Sequence, residues 1–140
     1  VALYDCDGES LRLNPEWHDW PQTPEGKVDY ERHTNSGGMS LVPGLGGPYQ
    51  MRTRTLDSYE LMFCHLLKVD TQGADLRVLT GARRTIMYKR PVVLFEIEET
   101  PARLHGDTSA DYFSFFEALD YDVKRVGGGS SNNDYVAEPR

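Results

Sequence analysis

The chain has 140 residues, 39% hydrophobic and 26% charged, which suits one compact domain and excludes a collagen-like repeat or a wholly disordered chain. Its formal net charge of −7, from 15 Lys+Arg against 22 Asp+Glu, argues against a surface built to neutralise nucleic-acid phosphates. The longest apolar stretches fall far short of the roughly 20 residues of a membrane-spanning helix and no basic-then-apolar leader opens the sequence, so a soluble, cytoplasmic protein is expected.

Residues 1–5 favour a strand and end at Asp7-Gly8, a turn dipeptide. Residues 10–13 resume with Leu11 and Leu13 on one face, which predicts a hairpin or a strand followed by an edge strand. A chain that opens inside a strand, on Val1-Ala2-Leu3-Tyr4, is expected to be processed or to be the downstream part of a longer gene product. Residues 14–48 hold most of the Pro and Gly with little periodicity, and are expected as one long irregular segment. Residues 49–55 alternate, with Arg52 and Arg54 on one face and Met51, Thr53 and Thr55 on the other, the period of a half-exposed strand. Asp57 and Glu60 have capping-box spacing for a brief helix over residues 56–61.

Residues 65–70 are nearly continuous in apolar side chains, as in a strand covered on both faces. In residues 74–82, Leu76, Leu79 and Ala82 recur at helical spacing, with Gly81 able to close or kink the helix and a further helical turn over residues 83–88. Pro91 then starts a second buried strand over residues 92–97. A helix over residues 109–119 carries Tyr112, Phe113, Phe115, Phe116 and Leu119 on its apolar face, with Thr108 and Asp111 capping its start. Residues 121–126 alternate as a strand, and after a Gly/Ser connection residues 134–137 pair back antiparallel. Strands alternating with helices predict an α/β fold: a mostly parallel sheet with a terminal antiparallel strand pair, in one domain spanning residues 1–140. Cys6 and Cys64 have no CxxC spacing and are expected as buried free thiols in a reducing compartment.

In an open sheet of this kind ligands bind beyond the carboxyl ends of the strands, here residues 70–73 and 96–99. Asp70 ends a buried strand before a glycine-containing turn and projects a carboxylate into the crevice, where helix N-terminal amides would stabilise its charge. The same position also suits a simple helix cap. Glu96, with Glu98 and Glu99 behind it, ends the next strand; these carboxylates would bind a cation or position a substrate hydroxyl, or form a solvated acidic loop. Asn35-Ser36-Gly37-Gly38 combines hydrogen-bonding side chains with glycines that admit a ligand closely, a pattern ordinary turns share. Trp17-His18-Asp19-Trp20 is suited to stacking on a sugar or to covering the core. Other motifs fail on context. Gly44-Leu45-Gly46-Gly47 lies between prolines rather than between a strand and a helix, no phosphate loop or GxSxG elbow is present, and the four histidines lack zinc-ligand spacing, so no metal is expected.

Leu67-Lys68-Val69-Asp70-Thr71-Gln72-Gly73-Ala74-Asp75-Leu76, then Val78-Leu79-Thr80-Gly81-Ala82, then Arg90-Pro91-Val92-Val93-Leu94-Phe95-Glu96-Ile97, resembles in order and spacing the C-terminal half of FkbM-type methyltransferases, which use S-adenosylmethionine. Val1-Ala2-Leu3 with Asp7-Gly8, Asn35-Ser36-Gly37-Gly38, Thr55-Leu56-Asp57 and Leu119-Asp120-Tyr121-Asp122-Val123 are similar to further segments of the family, so the resemblance covers essentially the whole chain. Gln72 stands where the family frequently has Glu, Asp75 where it usually has Glu, and Asp120 where it usually has Gly. The resemblance implies the C-terminal portion of a Rossmann-like class I methyltransferase sheet. The first strand and the glycine-rich cofactor loop would precede Val1, so this chain alone is expected to bind S-adenosylmethionine weakly or not at all. The implied reaction is methyl transfer to a hydroxyl oxygen of a sugar or natural-product intermediate. On this reading Asp70 is the catalytic carboxylate that helps remove the acceptor's proton, and Asn35, Ser36, Gln72 and Glu96 line the acceptor pocket.

Two other readings compete. A non-catalytic methyltransferase-like remnant would act in binding or assembly, with an exposed apolar sheet edge near Val1 covered by another copy of the chain. A generic sugar-binding module would use Trp17 and Trp20.

Overall fold

The computed structural model describes residues 2–13, 41–44, 50–126 and 133–140. Among them are two four-stranded sheets. The first contains β1 (Ala2–Leu3), β2 (Ser10–Leu13), β3 (Leu41–Pro43) and β4 (Gln50–Arg54), in the order β1-β4-β2-β3. The second contains β5 (Leu66–Val69), β6 (Val92–Glu96), β7 (Tyr121–Arg125) and β8 (Asp134–Pro139), in the order β5-β6-β8-β7. The α/β class is as expected, but the sheets are mixed rather than mostly parallel. Each has one parallel pair, β1 with β4 and β5 with β6, and antiparallel pairs elsewhere. The reason lies in the last strand. Helical crossovers carry β5, β6 and β7 in one direction, and β8 returns from β7 to lie between β6 and β7, antiparallel to both.

Neither expected arrangement of the first two strands forms, since β2 lies inside its sheet between β4 and β3 rather than at an edge. β1 and β2 do not pair with each other; both pair with β4. Residues 5–9 make a turn in which Gly8 has φ +84 and the amide N–H groups of Gly8 and Tyr4 donate to the Thr53 and Arg54 carbonyls (2.9 and 3.0 Å). β4 alternates as expected, with Thr53 buried and Arg52 and Arg54 exposed.

Four short α-helices follow: α1 (Asp75–Gly81), α2 (Arg83–Lys89), α3 (Glu99–Arg103) and α4 (Ser109–Glu117). The predicted helix and its extra turn correspond to α1 and α2. The predicted cap of α4 is present as a full capping box: the Thr108 side chain accepts from the Asp111 N–H and the Asp111 carboxylate accepts from the Thr108 N–H (2.8 Å), with the Thr108 hydroxyl also donating to that carboxylate (2.6 Å). Phe113, placed on the apolar face by the sequence, is 43% exposed. α3 lies in a stretch for which the sequence predicts no regular element; Pro101 is tolerated there because a first-turn amide has no helical partner to lose.

Asp57 behaves differently from its sequence reading. The short 3-10 turn Leu56–Tyr59 is capped by Thr55, whose Oγ1 accepts from the Ser58 N–H (3.2 Å). The Asp57 carboxylate instead reaches the start of α2 and accepts from the Arg84 and Thr85 N–H groups (2.8 and 2.7 Å) and the Thr85 hydroxyl (2.7 Å). Neither cysteine is buried as expected. Cys6 lies exposed in the turn after β1, and Cys64 is partly exposed in the segment leading to β5.

The main core joins the second sheet to α1, α2 and α4. Phe95 of β6 stacks on Phe116 and Tyr112 of α4 and on Tyr135 of β8, with ring centroids 4.8, 5.9 and 5.6 Å apart. Leu79, Ile86, Val93, Phe116 and Ala137 are fully enclosed. α4 packs on β7, and alternation along the strands turns Leu67, Val69, Val93, Phe95 and Ala137 toward this core. The opposite set, including Lys68, Asp70, Glu96 and Asp134, is thereby turned away from it.

Candidate functional site

The parallel register pairs Val69 with Phe95, and the antiparallel register pairs Glu96 with Asp134. One residue beyond Val69, Asp70 therefore comes beside Glu96, so Asp70, Glu96 and Asp134 form a row across three neighbouring strands. All three line a cleft of about 160 Å³ together with Lys68, Phe95 and Tyr135. Two residues predicted for the site, Asp70 and Glu96, are thus brought together at the carboxyl ends of β5 and β6, where open sheets bind ligands.

Asp70 is exposed and held from both sides. Its Oδ2 accepts from Lys68 Nζ (3.0 Å) and its Oδ1 from Gln72 Nε2 (3.1 Å). These hydrogen bonds, Lys68 first, hold its carboxyl below the usual aspartate value despite a small opposing effect of burial. Gln72, expected to touch substrate, does this job from a left-handed backbone conformation at φ +54. Asn35, Ser36, Trp17 and Trp20 lie outside the described residues.

The loop amides expected to stabilise Asp70 serve Asp75 instead. Asp75, 1% exposed, accepts at Oδ2 from the Thr71 N–H (3.3 Å), the Thr71 hydroxyl (3.0 Å) and the Gly73 N–H (3.2 Å). It thereby closes the turn that carries Asp70 and Gln72. Burial raises its carboxyl value, opposed by these same bonds. Sequence reading noted Asp75 only as a shorter substitute for Glu; the signal that could have found it was a carboxylate two residues past a loop glycine, positioned to gather loop amides.

Glu96 is half-buried. Burial, then repulsion from Glu98, Asp134, Asp70 and Asp75, pushes its carboxyl up to about 7. Glu98 is raised by burial and then by Asp75 and Asp70. Oε2 of Glu98 and Oδ1 of Asp75 are buried with no hydrogen-bond partner among the described residues. The arrangement is a strongly acidic pocket with one carboxylate, Asp70, held below its usual value by a lysine and an amide, and one, Glu96, raised to about 7. It is suited to accepting hydrogen bonds and a proton from a hydroxyl.

A methyl donor with a nucleoside part needs a larger cradle. Ligand pockets for such molecules are usually about 300 Å³ or more. Gly73, the glycine in the β5–α1 turn, offers no open backbone, because a Cβ there would overlap Pro101 and come within 2.9 Å of the Ala102 nitrogen. The cleft beside Asp70 is therefore smaller than such a molecule needs, and the turn after β5 does not open to receive one.

A second polar cluster holds the two halves of the fold together. Arg77 of α1 makes a two-pronged ion pair with Asp107 (Nε–Oδ2 2.9 Å, Nη2–Oδ1 2.7 Å), reaches Asp5 after β1 (3.2 Å) and donates to the His105 carbonyl. The Tyr4 hydroxyl lies 2.9 Å from His105 Nδ1. Nothing in the sequence reading singled out this cluster, since its members are distant along the chain.

Comparison with known families matches a model described as the methyltransferase FkbM domain to residues 2–123. Neither the curated proteins nor the solved structures compared yield a match. No helix among the described residues is long and apolar enough to cross a membrane.

Proposed function

This chain belongs to the FkbM methyltransferase domain family, and from that premise we propose that its reaction is S-adenosylmethionine-dependent methyl transfer to a hydroxyl oxygen of a sugar or natural-product intermediate. The observation that carries the acceptor side of this reading is the cleft in which Asp70 is held by Lys68 and Gln72 beside Glu96. S-adenosylmethionine would supply an electrophilic methyl group. Each Asp70 oxygen keeps a lone pair beyond the one its neighbour occupies, so the carboxylate can accept a hydroxyl's hydrogen bond and fix its direction. Asn35 and Ser36 would add hydrogen bonds to the same acceptor.

The test is transfer of labelled methyl from millimolar S-adenosylmethionine to a panel of monosaccharides by the 140-residue chain. High donor concentration offsets the weak binding expected where the described residues form no donor cradle. Replacing Asp70 with Ala is expected to lower transfer about 100-fold through lost orientation. Full activity in that variant would remove Asp70 from the site.

A second reading, assembly of copies in place of catalysis, draws support from apolar exposure. β1 and β5 are both edge strands; Ala2 and Leu3 are half-buried, whereas Met62, Phe63 and Leu66 before and on β5 are 76%, 73% and 60% exposed. Light scattering over a concentration series decides it: a dimer that Leu66→Lys dissociates supports assembly, and a monomer throughout removes it.

A further inference from the structure

We infer that Glu96, rather than Asp70, is the group that takes the acceptor's proton, an inference that rests on the reading of the cleft as the acceptor site. The geometry is the transverse row. Like charges directly opposite one another on neighbouring strands repel, and a row of three places the central member between two others. Asp70 on one flank is relieved by Lys68 and Gln72. Glu96, in the centre, pairs with Asp134 through its backbone, and no hydrogen bond among the described residues relieves its carboxylate. Behind it, Glu98 and Asp75 add further negative charge and turn unpartnered oxygens into the protein interior. The groups raising Glu96 are thus Glu98 after β6, Asp134 of β8, Asp70 at the β5 end and Asp75 of α1; Lys68, clamped to Asp70, also feels the Glu96 charge, and Tyr135 lines the cleft.

These surroundings raise the proton affinity of Glu96 to about 7 while that of Asp70 falls below the usual value. A general base works best when its pKa lies near ambient pH; a carboxylate clamped by a lysine and an amide is a poor one. The division of labour follows. Asp70 orients the hydroxyl, and a Glu96 carboxylate oxygen takes its proton: the acceptor O–H bond breaks, an O–H bond to Glu96 forms, and the electron pair stays on the acceptor oxygen as its nucleophile. Glu96 then returns the proton to water. A row of like charges costs stability, and a site is where such a cost persists.

Three measurements on the 140-residue chain test this. Carboxyl-carbon NMR titration is expected to place the Glu96 midpoint near 7 and Asp70 below the usual aspartate value, with Glu98→Gln moving Glu96 downward. Glu96→Gln is expected to lower labelled-methyl transfer to the same monosaccharide panel about 100-fold and to abolish the rise of rate through neutral pH. The sign of its stability effect separates a catalytic from a structural role. Because the folded-state value of Glu96 is raised above the unfolded one, the wild type loses stability as pH rises from the ordinary glutamate range through 7. Glu96→Gln should therefore melt higher than wild type at pH 8 and equally at pH 4, whereas a residue needed for structure would melt lower. A Glu96 midpoint in the ordinary glutamate range, or a variant that keeps the wild-type pH profile, overturns the inference. Failure of every monosaccharide in the panel to shift the Asp70 and Glu96 carboxyl resonances overturns the reading of the cleft itself.

Discussion

Replacing Gly81 with alanine is expected to destabilise the domain by about 2 kcal/mol or more, although alanine is the better helix former. A Cβ at this position would overlap the Tyr4 carbonyl oxygen and lie 2.9 Å from the Tyr4 carbonyl carbon and 3.3 Å from the Asp5 Cα. All three are backbone atoms, so no side-chain rotation relieves the clash. Helix propensity returns about 1 kcal/mol, while forcing β1 off α1 costs about 3 kcal/mol or more. That movement would also strain the Tyr4 N–H bond to the Arg54 carbonyl and the Tyr4–His105 contact, loosening the first sheet from the helices. Urea unfolding followed by circular dichroism measures the loss. A variant as stable as the wild type would show that β1 does not pack over the end of α1.

Arg77→Met is expected to cost about 3 kcal/mol, because it leaves a buried carboxylate without its partner. Asp107 is 5% exposed and receives both prongs of the guanidinium, and Asp5 receives a third bond. The Arg77 side chain is itself 30% exposed, which places the figure at the low end of values for a broken buried pair. Arg77→Lys should recover only part of the loss, since an ammonium cannot reproduce the planar fork. The deficit has a pH signature. Burial already raises the Asp107 value with Arg77 opposing it, so removing Arg77 raises it further. A folded-state value raised above the unfolded one costs stability as pH rises through it, so the Met variant should recover toward wild type in acid. A deficit that is the same at pH 4 and pH 8 would mean that lost packing of the Arg77 stem, not the stranded charge, is the cause.

The parts of the site that were legible in the sequence are those written in local pattern. Asp70 and Glu96 stand at the ends of apolar runs, and the runs are strands because Val69, Val93 and Phe95 alternate into the core; β5, expected to be covered on both faces, is instead an edge strand whose Leu66 and Lys68 are exposed. The Thr108–Asp111 box works because both of its bonds close within one turn. Asp57 had the same spacing to Glu60 and misled for a physical reason: its carboxylate finds stronger company in two amides and a hydroxyl of α2, well downstream in the chain. Gln72 and Asp75 were legible as residue types but not as roles. Which of two carboxylates collects the loop amides depends on the turn geometry that Gly73 and the left-handed Gln72 impose.

By itself the amino-acid sequence determined the alternation of strands and helices, the core faces of most of them, the caps that close within a turn and the family. Those properties follow from periodicity and from contacts between near neighbours. Only the tertiary structure decided that β1 joins β4, that β8 enters between β6 and β7, and that the sheets are mixed. It also decided the chemistry of the cleft. Asp70, Glu96 and Asp134 are far apart in sequence and become a row only through strand register. Proton affinity is set by charges and solvent exclusion acting through space, so no local pattern could tell which of these carboxylates lies poised near neutrality.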